Sequence, residues 1–284
     1  MSVVAISQSL GSLGEEISCE LAGALSYDFA DREIIMATAE RFGEGATGLE
    51  HATEAKPTLW ERFADTSRRY LAYVEAVILE MAAQDNVVLV GRGAVFLLQK
   101  VHHALRVRIS APVYVRANRV GQQQGLAPGG ATALVEQSDQ ERAARIKFFY
   151  HVDWDDPLLY DLFINTDDLS VKHAVRLLQN ALESGRFRPT ADSVADVQDL
   201  RLTAQAKASL MMHPVTQALL LVNPITRQLP LSLTCQRGYL TITGTVDRED
   251  QRTAVEAIVG KLPGITGVRC EIAVALPGLR PPGA

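Results

Sequence analysis

Residues 3–17 read VVAISQSLGSLGEEI and carry the strongest indication of fold in the chain. The first four are apolar and three of them are β-branched, which is typical of a strand buried on both faces of a parallel sheet. The polar stretch with Gly11 and Gly14 predicts a loop, and apolar residues at helical spacing then predict a helix from Glu15 to Leu25. Phosphate-binding units use the same order of strand, glycine-containing loop and helix.

The alternation of strand and helix continues along the first two thirds of the chain. Apolar runs predict further strands at 86–90, 105–110 and 160–165, and helical periodicity predicts helices at 59–83, 112–124, 138–150 and 171–184. Glycine-rich segments predict a mobile connection at 41–56 and a break at 125–130. The whole pattern predicts an α/β domain over residues 1–185.

A second unit with a different pattern is predicted after residue 185. Residues 186–196, which include Pro189, Thr190 and Ser193, have the composition of a linker. A small α+β domain is predicted over residues 197–276, and residues 277–284 are expected to be a disordered tail. The domain's predicted helices cover 197–212 and 247–262, and its strands cover 218–222, 231–235, 239–246 and 268–274.

Composition and charge exclude several classes of protein. Hydrophobic residues make up 47% and charged residues 21%, which indicates a packed globular chain. The formal net charge of −5 argues against nucleic acid as a partner, because binding to its backbone depends on phosphate neutralisation. The three cysteines form no CxxC pair, and no histidine lies at metal-ligand spacing to another ligand residue. No apolar run reaches about 18 residues, so we expect a cytoplasmic protein and not an integral membrane protein.

The loop after the first strand contains only part of a phosphate-binding motif. In the spacing GxxxxGK followed by Ser or Thr, backbone N–H groups, a lysine and a hydroxyl surround a triphosphate and its magnesium. Counted from the strand, Gly14 stands at the lysine position, and Glu15 and Glu16 stand where the hydroxyl residues belong. Two carboxylates facing the ligand would repel phosphate. The alternative is an ordinary turn, in which both carboxylates favour the helix start through the helix dipole.

Four short blocks, ISQSLGSLGEEI (6–17), FADREII (29–35), VGRGA (90–94) and YDLFINT (160–166), follow one another along the chain. In this order they resemble the cytidylate kinase-like family, and the resemblance spans about residues 3–182. It implies a P-loop kinase-type parallel sheet with helices on both faces. The chain departs from the family's usual loop, G-S-G-G-R-E-I, with Leu13 in place of a glycine and Glu15 in place of the arginine.

The resemblance also implies ATP and Mg²⁺ as cofactors, CMP as acceptor and three groups of site residues. The nucleotide-binding loop would consist of Ser9, Gly11, Ser12 and Gly14, the acceptor site of Asp31, Arg32 and Arg92, and the catalytic group of Arg119, Arg142 and Arg145. In this assignment Asp31 would hold the ribose, and Arg32 and Arg92 would hold the acceptor phosphate. Arg142 and Arg145 would act on the transferring phosphoryl group.

The residue pattern supports these arginines unequally. Arg92 lies between two glycines at the carboxyl end of a predicted strand, where open α/β sheets bind ligands. Arg142 and Arg145 share one face of a predicted helix, and the alternative for them is an ordinary solvated face.

An aromatic and acidic segment, FFYHVDWDDP, occupies residues 148–157. Its carboxylates, Asp153, Asp155 and Asp156, are possible magnesium ligands. The alternative is that the aromatic residues pack and the acidic residues cap a turn at Pro157, and we favour it, so the sequence predicts no metal site of the chain's own.

The last third of the chain, about residues 197–274, is similar to a BON domain in the blocks GYLTITGTVD (238–247) and PGITGVRCEIAV (263–274). The similarity implies an accessory binding or regulatory module with a protein or phospholipid partner.

Two functional hypotheses follow. The first is an enzyme that transfers the γ-phosphate of ATP to a pyrimidine nucleoside monophosphate such as CMP. The second is a pseudokinase whose cleft binds a nucleotide or another phosphate ligand and signals through the BON-like domain. Both require Arg32, Arg92 and the pair Arg142 and Arg145 to converge in one cleft, whereas a scaffold without ligands does not.

Overall fold

The computed structural model describes residues 2–43, 64–221 and 229–275. In the first unit its strands are β1 (Val3–Gln8), β2 (Asp28–Ala30), β3 (Val87–Val90), β4 (Ala104–Ser110) and β5 (Leu162–Asn165). The helices of that unit are α1 (Gly14–Leu25), α2 (Arg32–Phe42), α3 (Ala64–Ala83), α4 (Ala94–Leu97), α5 (Val113–Gln124), α6 (Pro128–Tyr150) and α7 (Val171–Glu183).

The five strands form one parallel sheet in the order β2-β3-β1-β4-β5. Strand β1 lies at its centre, and alternate residues of β1 face opposite layers. Val3 and Ala5 belong to an apolar cluster that includes α3, whereas Val4 and Ile6 belong to a second cluster with α1 and α7. Because side chains alternate across a strand, this distribution confirms a parallel sheet with helices on both faces.

The second unit contains α8 (Ala191–Met212), β6 (Leu231–Gln236), β7 (Tyr239–Val246), α9 (Glu249–Val259) and β8 (Gly267–Val274). Its sheet has the order β6-β7-β8, with β6 antiparallel and β8 parallel to β7. The predicted small α+β domain is therefore confirmed.

Helix α8 belongs to the second unit and packs against both units. It packs against α3 of the first unit and against β6 and α9 of the second. Ala5 and Ile78 of the first unit lie in the same continuous apolar cluster as Leu210, Ile242 and Val255. The two units consequently share one hydrophobic core, although their sequence patterns differ.

The predicted linker at 186–196 is wrong in its second half, because α8 already begins at Ala191. Thr190 and Ser193 form a capping box: the Thr190 hydroxyl accepts from the Ser193 N–H at 3.1 Å, and the Ser193 hydroxyl accepts from the Thr190 N–H at 2.9 Å. Small polar residues are common both in linkers and at helix starts, so composition alone did not distinguish the two.

Other element predictions also differ from the structure. The predicted strand at 218–222 is wrong, because Gln217–Leu220 form a 3₁₀-helix; short apolar runs do not separate strand from helix. Helix α6 begins at Pro128, ten residues earlier than predicted, with proline in its first turn, where its missing N–H costs nothing. Neither β2 nor α2 was predicted.

Some predictions fall outside the described residues. Helix α2 reaches Phe42, so the start of the predicted connection at 41–56 is helical, and its residues from 44 onward lie outside the description. The first residues of the helix predicted at 59–83 and the predicted disordered tail at 277–284 also lie outside it. Over the ranges that are described, none of the helices combines the length and apolarity needed to cross a bilayer.

Leu210→Ala should lower the free energy of unfolding by about 2–5 kcal/mol, because it removes a fully buried side chain (0% exposed) from the shared core. Met212→Ala is the matched control, since Met212 ends the same helix with 50% exposure and its replacement should change stability by about 0.5 kcal/mol or less. Urea denaturation followed by circular dichroism measures both. Equal losses would contradict the shared core.

Candidate functional site

A cavity of about 300 Å³ opens at the carboxyl ends of β1 and β3. Its walls come from the ends of these two strands, from the turn that follows β3 and from the last turns of α6. Ligands of open α/β sheets bind at the carboxyl ends of the strands, so the cavity lies where the sheet favours a binding site.

Four of the predicted site residues line this cavity: Asp31, Arg92, Arg142 and Arg145. They come from the β2–α2 junction, from the turn after β3 and from α6, so distant stretches of sequence converge. Three guanidinium groups in one cavity attract an anion inside a protein whose formal net charge is −5. Arg32 is the first residue of α2, and its side chain lies outside the described part of the chain.

Arg92 is held in a turn of unusual backbone geometry. Gly91, Arg92 and Gly93 all have positive φ angles, of 70°, 51° and 84°. The phenol of Tyr150 donates a hydrogen bond of 3.3 Å to the Arg92 carbonyl oxygen. Burial raises the pKa of Tyr150 well above its usual value, so the phenol remains a neutral donor. A left-handed backbone conformation costs free energy in residues other than glycine, and such residues concentrate at functional sites. The position of Arg92 in the cavity wall agrees with this tendency.

Arg142 is fixed to the end of the central strand. Its Nη1 atom donates to the carbonyl oxygen of Gln8, the last residue of β1. Its guanidinium carbon also lies 5.8 Å from the ring centre of Trp154, within the range of a cation–π contact. Trp154 is 1% exposed, and its indole N–H donates a hydrogen bond of 2.8 Å to the Ser7 hydroxyl.

Sequence reasoning missed Trp154 and Arg108, which lie together behind the cavity. The Arg108 guanidinium lies 3.7 Å from the Trp154 ring centre, and its Nη2 atom donates to the Ser9 hydroxyl at 2.9 Å. Asp155 partly balances this buried charge at 3.4 Å, although burial still lowers the pKa of Arg108. The alternation of residues 105–110 does not identify Arg108, because Arg106 also lies between apolar residues of this strand and is only half-buried.

In the segment 148–157 an aromatic side chain packs in the interior and an acidic side chain caps a turn, which is the alternative that we favour from the sequence. Trp154 is buried, and the Asp156 carboxylate accepts from the Leu158 N–H at 2.9 Å at the start of a 3₁₀-helix. The Asp153 carboxylate accepts from the Asp155 N–H at 3.1 Å. Within the described ranges, no group of three or more His, Cys, Asp or Glu side chains is arranged to hold a metal ion.

The predicted loop residues Ser9, Gly11, Ser12 and Gly14 do not line the cavity. Both serines are buried: the Ser9 hydroxyl bonds the Ser110 hydroxyl at 3.1 Å, and the Ser12 carbonyl accepts from the Thr166 hydroxyl at 2.8 Å. These contacts attach the loop to β4 and to the end of β5. The residues of this segment that line the cavity are Ile6, Ser7, Gln8 and Glu15, and none of these four was predicted as a site residue.

Gly14, at the lysine position, is packed closely by Gln8. A Cβ atom at Gly14 would lie 2.1 Å from the Gln8 side-chain oxygen, so any larger residue there would displace Gln8. Leu13 precedes it with a φ angle of 60°, in the left-handed region. The loop therefore brings no cation of its own to the helix start, and among the described side chains the positive charge in the cavity comes from Arg92 and from Arg142 and Arg145 of α6.

Arg119 lies outside the cavity lining. Its Nη2 atom donates to the Thr166 carbonyl oxygen at 2.7 Å, and its Nη1 atom donates to the Thr166 hydroxyl at 3.1 Å and to the Gly11 carbonyl oxygen at 3.3 Å. These three bonds hold the loop against the end of β5. The geometry gives Arg119 a positioning role, which differs from the predicted catalytic one.

A family model described as "Cytidylate kinase-like family" matches residues 3–168. The chain belongs to the cytidylate kinase-like family. A second model, the BON domain, matches residues 215–275 and begins after α8, which the sequence pattern assigned to the BON-like unit. Family membership supports a kinase-like function for the first unit.

Two relatives that match the chain are named cytidylate kinase. The chain is 27% identical to the cytidylate kinase of Methanocaldococcus jannaschii over 127 residues, which are 44% of this chain and 71% of that protein. It is 25% identical to the cytidylate kinase of Haloarcula marismortui over 201 residues, which are 70% of this chain and 98% of that protein.

A crystal structure of an uncharacterized protein from Eubacterium ventriosum is similar in fold. The TM-score is 0.51 at 18% sequence identity, over 65% of this chain and 99% of that chain. At this level of identity the likeness concerns the fold alone.

Gly93→Ala should destabilise this cytidylate kinase-like protein more than Gly91→Ala. Both positions have positive φ, which for alanine costs about 1–2 kcal/mol. A Cβ atom at Gly93 would additionally lie 2.0 Å from the Tyr150 hydroxyl, whereas one at Gly91 meets open space, so Gly93→Ala should lose a further 1–3 kcal/mol or so. Chemical denaturation measures the difference, and equal stabilities would show that Tyr150 is not packed on this turn.

Proposed function

We propose that the protein is a phosphotransferase that moves the γ-phosphoryl group of ATP to a nucleoside monophosphate, with CMP as the preferred acceptor. The observation that carries the proposal is the convergence of Asp31, Arg92, Arg142 and Arg145 in one cavity at the carboxyl ends of β1 and β3. Membership of the cytidylate kinase-like family supports it.

The acceptor side of the cavity is formed by Arg92 and Asp31. A guanidinium group matches two phosphate oxygens with parallel N–H donors, so Arg92 would take the acceptor phosphate. A carboxylate accepts hydrogen bonds from hydroxyl groups, so Asp31 would take the acceptor's ribose. The strained turn at Arg92 fixes its backbone in advance of binding, which lowers the ordering cost when the ligand arrives.

Arg142 and Arg145 would stabilise the transferring phosphoryl group. They are three residues apart on α6 and both face the cavity, so their charges act on the same region. Phosphoryl transfer is catalysed mainly by positioning and by compensating charge on the oxygens, and it requires no covalent intermediate on the protein. Gly14 stands where the phosphate-binding motif has a lysine, so we assign to Arg142 and Arg145 the positive charge that this lysine would supply.

ATP and Mg²⁺ fit the residues that are present. The cavity combines arginines, which match phosphate, with the carboxylates of Glu15 and Asp31, which offer the oxygen ligands that Mg²⁺ prefers. Its volume of about 300 Å³ is at the lower limit for a small-molecule site. Mg²⁺, when bound with the phosphates, would neutralise charge that develops on their oxygens.

Purified protein incubated with ATP, Mg²⁺ and each nucleoside monophosphate in turn should form ADP fastest with CMP. A coupled assay of ADP release measures the rates, and a reaction without acceptor gives the background. Because the proposal requires an acceptor-dependent reaction, a rate that no monophosphate raises above this background would exclude it.

Arg92→Ala should weaken binding of CMP by about 1.5–3 kcal/mol, because it removes charged hydrogen bonds to the phosphate. Arg176→Ala is the matched control, since Arg176 is an exposed arginine on α7 that does not line the cavity. Isothermal titration calorimetry with CMP measures both affinities. If both variants bind like the unmodified protein, Arg92 is not an acceptor ligand, as expected for a scaffold.

A second candidate function is a pseudokinase that binds a nucleotide or another phosphate ligand without turnover. It is favoured by Gln8, whose side chain packs over Gly14, and by Glu15, whose carboxylate lines the cavity. In this alternative the BON-like unit would report occupancy of the cavity through α8, which packs on both units. Nucleotide binding without ADP formation in the assay above would support it.

For either function we propose a cytoplasmic setting and nucleotides as the small-molecule ligands. The BON-like unit would bind a protein or a phospholipid surface. The acidic net charge of −5 gives no support for a nucleic-acid partner.

A further inference from the structure

The carboxylate of Glu15 has an unusual position for a phosphate-binding cavity. Glu15 lies in the first turn of α1 and lines the same cavity as Arg92, Arg142 and Arg145. Within the described ranges its carboxylate takes part in none of the side-chain hydrogen bonds or ion pairs, although three arginines line the same cavity. Glu15 and the next residue, Glu16, are both exposed, but Glu16 does not line the cavity.

Such a carboxylate opposes a ligand rich in phosphate. A like charge in the cavity disfavours the charged form of the ligand, and metal-free ATP would meet it together with the carboxylate of Asp31. Glu15 is itself exposed, so salt screens this opposition in part, and the opposition is strongest at low ionic strength.

A divalent cation between the carboxylate and the phosphates reverses the sign of the interaction. Mg²⁺ in nucleotide sites keeps several waters and is held by one or two carboxylates together with substrate phosphates. The described residues form no cluster of three or more metal-ligating side chains, so the chain alone offers no complete cage. One carboxylate from the cavity is sufficient for such a site when the metal enters on the nucleotide.

The place of Glu15 in the sequence agrees with this chemistry. Counted from β1, Glu15 stands where a phosphate-binding loop has the hydroxyl residue that ligates Mg²⁺, one position after Gly14. A carboxylate there presents a stronger oxygen ligand from the same helix turn. Asp31 is the other carboxylate in the cavity, but it lies at the start of α2, with the acceptor residues.

We infer that Glu15 is a direct ligand of the Mg²⁺ ion carried by the nucleotide, so that the cavity selects the magnesium complex of ATP against metal-free ATP. The inference rests on the proposed nucleotide binding and names the residue that makes binding depend on the metal. It does not require turnover, since the pseudokinase alternative would bind ATP through the same group.

Isothermal titration calorimetry with ATP, once with Mg²⁺ and once with EDTA, tests the inference. The unmodified protein should bind ATP about 10- to 100-fold more tightly with Mg²⁺. Glu15→Gln should bind magnesium ATP about 10- to 100-fold more weakly than the unmodified protein and metal-free ATP more tightly, because the ligand and the repulsion disappear together. Glu16→Gln is the matched control and should stay within about twofold under both conditions.

Electron paramagnetic resonance of Mn²⁺ gives a second readout that does not depend on ATP affinity. Mn²⁺ accepts the same oxygen ligands as Mg²⁺. With each protein saturated by a non-hydrolysable ATP analogue, titrated Mn²⁺ should bind about 10- to 100-fold more weakly to Glu15→Gln than to Glu16→Gln.

Tighter binding of both ATP forms to Glu15→Gln would overturn the inference, because Glu15 would then only repel phosphate. Unchanged Mn²⁺ affinity in Glu15→Gln would overturn it as well. Neither result would touch the proposed kinase activity, which the ADP assay tests separately. Failure of the unmodified protein to bind ATP with or without Mg²⁺ would reject both proposals at once.

Discussion

Three successive residues at the end of β1 are each held by a side chain from a distant part of the chain. Trp154 donates to the Ser7 hydroxyl, Arg142 donates to the Gln8 carbonyl oxygen, and Arg108 donates to the Ser9 hydroxyl. The Trp154 ring also contacts both arginines. Because β1 is buried on both faces at the centre of the sheet, these bonds fix Arg142 of α6, Arg108 of β4 and the segment after α6 relative to the strand around which the unit is built.

The strands and helices that the sequence predicts correctly are those whose own residues carry a clear pattern. Strands β1 and β3 carry apolar runs because both of their faces are covered, and the sequence shows this requirement directly. Strand β2 has only three residues, Asp28–Ala30, too few to show a period. The sequence predicts a linker over the first turns of α8, because a capping box and a linker use the same small polar residues.

The candidate site was predictable in part for a similar reason. Asp31, Arg92, Arg142 and Arg145 lie in short blocks whose order along the chain resembles a family, and the structure places all four in one cavity. The roles of Trp154 and Arg108 arise from stacking between segments that are distant in sequence, which no local pattern encodes. An arginine such as Arg119 can bind phosphate, but from its position on α5 its guanidinium group bonds the loop at Gly11 and Thr166 instead.

Helix α8 makes the two units structurally dependent on each other, although the sequence pattern divides them. The sequence pattern changes near residue 185, yet α8 packs on α3 and on the C-terminal sheet, and one apolar cluster runs through all three. Separating the chain at that point would uncover the apolar side of α3 and leave α8 without half of its partners. The C-terminal module thus covers part of the first unit's apolar surface, so a homologous piece could replace either half during gene rearrangement only if it carried a matching apolar face.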